Sequence, residues 1–242
     1  MTKKSVNFRL LLGGKIIAGV FVLFTGASVH AQQTGDSSQN IEQGKIDDLP
    51  AKPFRLPALA EINGSPFLSP EYRQGSVELG QGRIVNNVPV KFNVMNNAMM
   101  VMKNGEELKL EFFELVSYDE SANDGSSKHF IFKAGYPEID GHNDNTIYQV
   151  LSMGPKVHLL KFISQKVEDA NTLGDYSRRE IITTEQLYIY VPGSGIKKIK
   201  KDKQSLVDAL PAFSSKITEL AGAKKLKSEA DISSIIEQLN KS

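Results

Sequence analysis

The sequence predicts a mainly β fold: an antiparallel meander, built as a sandwich, roll or open barrel, followed by a short C-terminal α-helical tail. Three observations predict it. From Ser76 to Tyr118, apolar and polar residues alternate with period two: Val90, Phe92 and Val94 fall on one side, Lys91 and Asn93 on the other, and Leu108, Leu110 and Phe112 alternate with Lys109 and Glu111. This is the period of half-buried antiparallel strands. The runs are separated by Gly80-Gln81-Gly82, Asn86-Asn87, Asn96-Asn97 and Asn104-Gly105, residue types that accept the positive φ of tight hairpins. Beyond Pro192-Gly193 the apolar period becomes helical, with Phe213, Ile217 and Leu220 and then Ile232, Ile235, Ile236 and Leu239 on single stripes.

The N-terminal residues 1–31 read as a secretory signal peptide. Lys3, Lys4, Arg9 and Lys15 form a basic front, Ile16 to Phe24 is apolar, and Val29 and Ala31 are the small residues of a cleavage site. The apolar run is too short to cross a hydrocarbon core of about 30 Å, so no transmembrane span is expected after cleavage. Residues 32–50 are rich in Gln and Ser without an apolar period and read as a disordered spacer. Residues 51–193 form the antiparallel β domain. Its lead-in carries Pro53, Pro57, Pro66 and Pro70 with Phe54, Leu56, Leu59, Ile62, Phe67 and Leu68 between them. Proline at this density forbids a long helix or central strand, so an extended segment lying on the fold is expected. Asn63-Gly64-Ser65 reads as a turn.

After the meander, Lys128–Lys133, Thr146–Met153, Lys156–Ile163 and Glu185–Val191 are β-branched and aromatic. Gly154-Pro155 marks a hairpin between two of them. Thr146–Met153 and Lys156–Ile163 are apolar on both faces, which predicts a central position. Asp119–Ser127 and Glu168–Arg179 are polar and read as exposed connections. Residues 194–242 read as a basic linker and a helical tail docking on the β domain; Ser228 and Asp231 have the spacing of a capping box.

Composition removes several classes of chemistry. The chain has no cysteine, so disulfides, thiolate catalysis and lipid attachment at a cysteine are excluded. Beyond Ala31 there are 25 basic and 28 acidic residues, a net charge of −3, too small to steer a polyanion to the whole molecule; a nucleic-acid partner is not expected. The charge is uneven, because residues 194–242 hold ten lysines and six acidic residues, a net +4.

The stretch Gly75 to Asn93, with the turn and strand after it, and the Lys-rich segment running into short helices over Lys197 to Asn240 resemble a large, little-characterised family of secreted envelope proteins of Bacteroidota-type bacteria with a β-meander and a Lys-rich helical tail. The resemblance covers most of the chain beyond about residue 62 and implies an exported protein, in the periplasm, at the cell surface or outside the cell. It implies no activity and no catalytic residues.

Catalytic motifs are few. The sequence has no glycine-rich phosphate loop, no Gly-x-Ser-x-Gly elbow and no His-Glu-x-x-His helix. His129 and His158 sit inside strand patterns and read as packed in or on a sheet. Asp140, His142 and Asp144 have the one-three-five spacing of a calcium loop and form the candidate metal set for a divalent cation, although Asn145 and Leu151 stand where such a loop has glycine and glutamate. Otherwise no cofactor is expected. Lys197, Lys198, Lys200, Lys201 and Lys203 form the candidate binding set, facing an envelope protein or an anionic surface component; the competing reading is a solvated linker or a charged edge strand that blocks aggregation. Met95, Met99, Met100 and Met102 read as core filling.

The leading functional expectation is a non-enzymatic envelope accessory, binding or scaffolding protein, with the basic linker and tail as its interaction surface. The alternatives are a hydrolase of envelope glycans or peptides using carboxylates of Asp119–Asp124 and Asp140–Asp144, which must then converge on one pocket, and a structural or adhesive protein with long free strand edges.

Overall fold

A computed structural model describes residues 42–54, 62–121, 125–169 and 179–242. The expected signal peptide, residues 1–31, and the spacer up to residue 41 lie outside the described residues. So do Leu56, Pro57 and Leu59 of the lead-in and the greater part of the expected Glu168–Arg179 connection.

The described residues form one mostly antiparallel sheet and three α-helices. The strands are β1 (Glu42–Gln43), β2 (Ala51–Pro53), β3 (Ile62–Asn63), β4 (Arg73–Glu78), β5 (Arg83–Asn93), β6 (Ala98–Lys103), β7 (Glu106–Leu110), β8 (Leu115–Ser121), β9 (Ser127–Lys133), β10 (Tyr148–Ser152), β11 (His158–Asp169), β12 (Arg179–Val191) and β13 (Gly195–Ile199). The helices are α1 (Lys203–Ala209), α2 (Ser214–Ala221) and α3 (Glu229–Lys241). The sheet order is β13-β12-β11-β10-β9-β8-β4-β5-β6-β7-β2, with β1 parallel on β5 and β3 parallel on β12. Two meanders, β4–β7 and β8–β13, therefore run in opposite directions from the β4–β8 pair. At that junction Gly75 is required, because a Cβ there would lie 2.5 Å from the carbonyl oxygen of Ser117 on β8. Pro89 lies within β5, and the β5–β6 ladder runs from Val90 to Asn93, so it stops one residue short of the proline.

The sheet curls. Phe92 on β5 and Phe132 on β9 stand three strands apart, about 14 Å along a flat sheet at 4.7–4.9 Å per strand, yet their ring centroids are 4.7 Å apart. The concave side is filled by Val77, Val90, Phe92, Met99, Val101, Val116 and Phe132. The lead-in straps the curl: Ile62 pairs with Arg179 on β12, and Phe67 bridges to Asn93 at the end of β5. Asn97, in the β5–β6 turn, closes a second seam by donating to the carbonyl of Ile147 (2.9 Å) and accepting from its N–H (2.8 Å).

On β10–β12 the same face carries Leu159 and Ile163. Ile163 joins the first core, while Leu159, with Val157, Leu187, Ile189 and Ile199, is covered by Leu206, Leu210, Ile217, Ile232, Ile236 and Leu239 of the helical tail. The predicted capping box of α3 is formed: Ser228 Oγ accepts from the Asp231 N–H at 3.1 Å, and Asp231 Oδ2 accepts from the Ser228 N–H at 3.0 Å. Near the end of α3, Asn240 accepts from the N–H groups of Lys156 and Val157 and donates to the carbonyl of Val157. Lys161 is 6 % exposed on this face and is held by Glu229 of α3 at 3.1 Å and Glu185 of β12 at 3.2 Å.

The tail's apolar stripes are thus spent on the sheet, which removes them as a free interaction surface. Several boundaries also differ from the sequence reading: Asn86-Asn87 lies inside β5 rather than between strands, β7 ends at Leu110 and leaves Phe112 exposed, and β11 and β12 reach Asp169 and Arg179. The basic linker contains the edge strand β13, the end of the expected spacer is ordered from β1 onward with Leu49 buried, and Asp119–Ser121 continues strand β8. Met99 and Met100 are fully buried, as core filling requires. The sheet path ends at β2 and β13, strands of three and five residues. No described helix is long and apolar enough to cross a membrane.

Candidate functional site

The connection between β9 and β10, residues 134–147, folds back over the outer face of the sheet. Tyr136 anchors it, packing edge-on against Tyr148, His158 and Tyr190 and sharing a 3.0 Å hydrogen bond with His158 Nδ1. Further on, Ile139 and His142 close a tight turn through two backbone hydrogen bonds of 2.8 and 3.3 Å. Its central residues, Asp140 and Gly141, have φ of 53° and 82°. Asp and Gly are suited to this pair of left-handed positions, Gly for lack of a Cβ and Asp for its short polar side chain.

The turn delivers two side chains to the sheet. Asp140 Oδ2 accepts from the Tyr188 hydroxyl at 3.1 Å and lies 3.6 Å from Lys198 Nζ. His142 Nδ1 shares a 2.7 Å hydrogen bond with the Tyr148 hydroxyl, and its ring lies 4.0 Å, centroid to centroid, from that of Phe162. Register explains the convergence, since Leu160 pairs with Tyr188 and Tyr188 with Lys198, so Phe162, Ser164, Thr184, Gln186, Tyr188 and Lys198 share one face. Together with Asp140 and His142 they line an open groove of about 320 Å³.

Burial sets the electrostatics. Desolvation lowers the His142 pKa, the Asp140 carboxylate acts against it, and Lys198 adds to the lowering. His158 is likewise lowered by burial. Burial, with Asp140 nearby, pushes Tyr148 up to about 12 and raises Tyr188 as well. At neutral pH the groove therefore presents neutral histidine, protonated tyrosine and one Lys–Asp pair.

The residues singled out from sequence fare unequally. Asp140 and His142 come together as expected, but Asp144 does not join them: it lines a separate cleft with Asn145. The turn at Asp140-Gly141 reverses the chain, so alternate residues do not continue along one side. Among the described residues no three of His, Cys, Asp and Glu gather to hold a metal ion, and Asp140 and His142 are engaged by Tyr188, Lys198 and Tyr148.

The lysine run is also divided. Lys198 faces the groove, while Lys197 pairs with Ile189 on the helix side of β13. Lys201 binds Glu229 at 3.2 Å, Lys200 is exposed in the turn after β13, and Lys203 opens α1. The five do not make one basic patch; an edge strand exposes alternate side chains to opposite faces.

Two further concavities hold the other loop carboxylates. The larger, about 500 Å³, lies at the Asn97–Ile147 seam, lined by Phe112, Phe113, Ala134 and Asp144 with Glu114 and Lys133 at 3.6 Å from one another. The other lies on the outer face of β4, β5, β8 and β9, where His129 Nδ1 meets Asp119 Oδ1 at 2.8 Å. Asp119, Asp140 and Asp144 thus line three different clefts, and Asp124 lies outside the described residues. Sequence reading missed Phe162, Tyr188 and Gln186. The alternation of Tyr188 and Tyr190 in one strand was the available signal, but only the register links it to the Asp140 turn. Comparison of the chain with known proteins finds no matching family model, no matching curated protein and no matching solved structure.

Proposed function

We propose that this chain is an exported, non-enzymatic binding protein of the cell envelope, and that the Asp140–His142–Phe162–Lys198 groove is its ligand site. One observation carries the reading: a left-handed turn and three successive strands are brought together around a concave surface that combines aromatic rings, hydroxyls and a charge pair. A few convergent polar groups beside apolar walls are the usual composition of a ligand site, and perturbed titratable groups cluster at such sites. The resemblance of Gly75–Asn93 and the tail to secreted envelope proteins, with the signal-like residues 1–31, supports the location. The scaffold suits binding, since the groove's floor belongs to the 12- and 13-residue strands β11 and β12, which are held from behind by the helices.

Hydrogen–deuterium exchange with and without soluble envelope extract tests this. Protection is expected at residues 138–143, 162–164, 184–188 and 196–198. Protection confined to residues 109–114 and 133–135 would move the site to the seam cleft, and no protection anywhere would remove the binding reading.

A further inference from the structure

We infer, resting on that reading of the groove, that its ligand is a neutral saccharide: a hexose or N-acetylhexosamine unit at the end or edge of a glycan. The wall of the groove is made by two aromatic rings, those of Phe162 and His142, tilted by 40° to one another. Phe162 and His142 are each partly exposed, with centroids 4.0 Å apart, and offer the ring surface on which the C–H face of a pyranose packs. Across from it stand groups suited to sugar hydroxyls. Ser164 and Thr184 share a 2.8 Å hydrogen bond, which leaves each hydroxyl further donor or acceptor capacity. Gln186 spends its Nε2 on the carbonyls of Leu187 and Ile199; its Oε1 makes no hydrogen bond to a described residue. The same holds for Asp140 Oδ1, whose partner oxygen is fixed by Tyr188 and Lys198. A carboxylate with one oxygen fixed and one available is a strong acceptor for sugar hydroxyls.

Charge selects a neutral ligand. Lys198 is the groove's one cation among the described residues and lies 3.6 Å from Asp140. A phosphate or uronate would have to compete with that carboxylate for the ammonium. The size agrees: about 320 Å³ stands at the small end of the ~300–1,000 Å³ typical of small-molecule pockets, room for a single ring or a disaccharide. Binding without cleavage fits as well. Among the described residues that line the groove the carboxylates are Asp140 and Glu185, and Glu185, at the rim, is 3.2 Å from Lys161 on the opposite face.

Titration of the isotopically labelled protein, followed by amide NMR, tests the assignment with three probes: an N-acetylglucosamine tetrasaccharide, neutral dextran and dextran sulfate. The expected result is saturable shifts at Phe162, Thr184, Tyr188 and Lys198 with at least one neutral probe. Phe162→Ala is expected to weaken this at least about tenfold, some 1.4 kcal/mol, with the remaining spectrum unchanged; Phe162→Tyr is expected to retain it. Tighter groove binding of dextran sulfate than of dextran would overturn the neutral assignment. If no saccharide shifts these amides while soluble envelope extract does, the site stands and the saccharide class falls. If neither shifts them, both the ligand class and the groove reading fall.

Discussion

Asn240 is the residue through which the helical tail is locked to the sheet, and replacing it measures how far the tail belongs to the fold. Its amide makes three hydrogen bonds to the β10–β11 hairpin: accepting from Lys156 N–H at 3.1 Å and Val157 N–H at 3.0 Å, and donating to Val157 carbonyl at 2.8 Å. The fit is close, since a Cβ on Gly154 would stand 2.4 Å from Asn240 Cγ. Asn240→Ala removes all three bonds and leaves half-buried backbone groups to find water. At about 0.5–1.5 kcal/mol net per bond, the loss is about 2–4 kcal/mol. For a chain of this size each kcal/mol shifts Tm by about 2–4 °C, so a fall of roughly 5–15 °C is expected in thermal unfolding followed by circular dichroism. Asn240→Asp keeps the acceptor and loses the donor, and its loss is expected to be smaller. A change below about 0.5 kcal/mol for Asn240→Ala would refute the clasp and leave the tail held by its apolar stripes and Glu229.

Other predictions test different parts of the account. Gly75→Ala places a Cβ against the backbone of β8 and is expected to cost about 1–3 kcal/mol in urea unfolding. Glu229→Gln removes one of the two carboxylates holding buried Lys161 and is expected to destabilise by about 1–3 kcal/mol, mostly abolished in a Lys161→Met background. Stability should fall with acid in two windows. His142 and His158 are lowered below their ordinary 6.5 by burial, so the unfolded chain takes up protons first: stability is complete above about pH 6.5 and declines as pH drops toward their folded values. Burial raises Glu229, but the hydrogen bonds and charges of Lys161 and Lys201 more than offset this and leave it below its ordinary 4.5. Its contribution is present above about pH 4.5 and is lost as pH falls through its folded value. Denaturant midpoints measured between pH 7 and pH 3, for the wild type and a His158→Phe variant, check both windows.

What the sequence made legible was what local chemistry determines. The Ser228–Asp231 cap, the period-two strands and the turns at Gly80-Gln81-Gly82, Asn96-Asn97 and Asn104-Gly105 act over a few residues and stand in the structure, whereas Asn86-Asn87 lies within β5 at a shift of register against β4. The antiparallel body with a helical tail follows from them. Long-range pairing was not legible. The run Lys197 to Lys201 reads equally as a solvated linker or a charged edge strand, and only the pairing of Ile196 and Ile199 with Tyr190 and Leu187 makes its first half a strand. Glu42 and Gln43 carry no apolar signal, and their parallel pairing with Arg83 and Ile84 on β5 depends on the completed sheet. The site shows the same division. Composition marked Asp140 and His142, but a reversal of the chain at Gly141 separated them from Asp144, and only strand register brought in Phe162, Tyr188 and Lys198.

The central claim is that this groove, rather than the tail or the lysine run, holds the ligand. Retention of soluble envelope material on the immobilised protein tests it most directly, comparing the wild type with Phe162→Ala and with a variant in which Lys200, Lys201 and Lys203 are replaced by Gln. The account predicts that Phe162→Ala loses the retained material while its Tm stays within a few degrees of wild type, and that the lysine variant retains it. Retention unchanged in Phe162→Ala and lost in the lysine variant would contradict the account and return the binding surface to the basic segment.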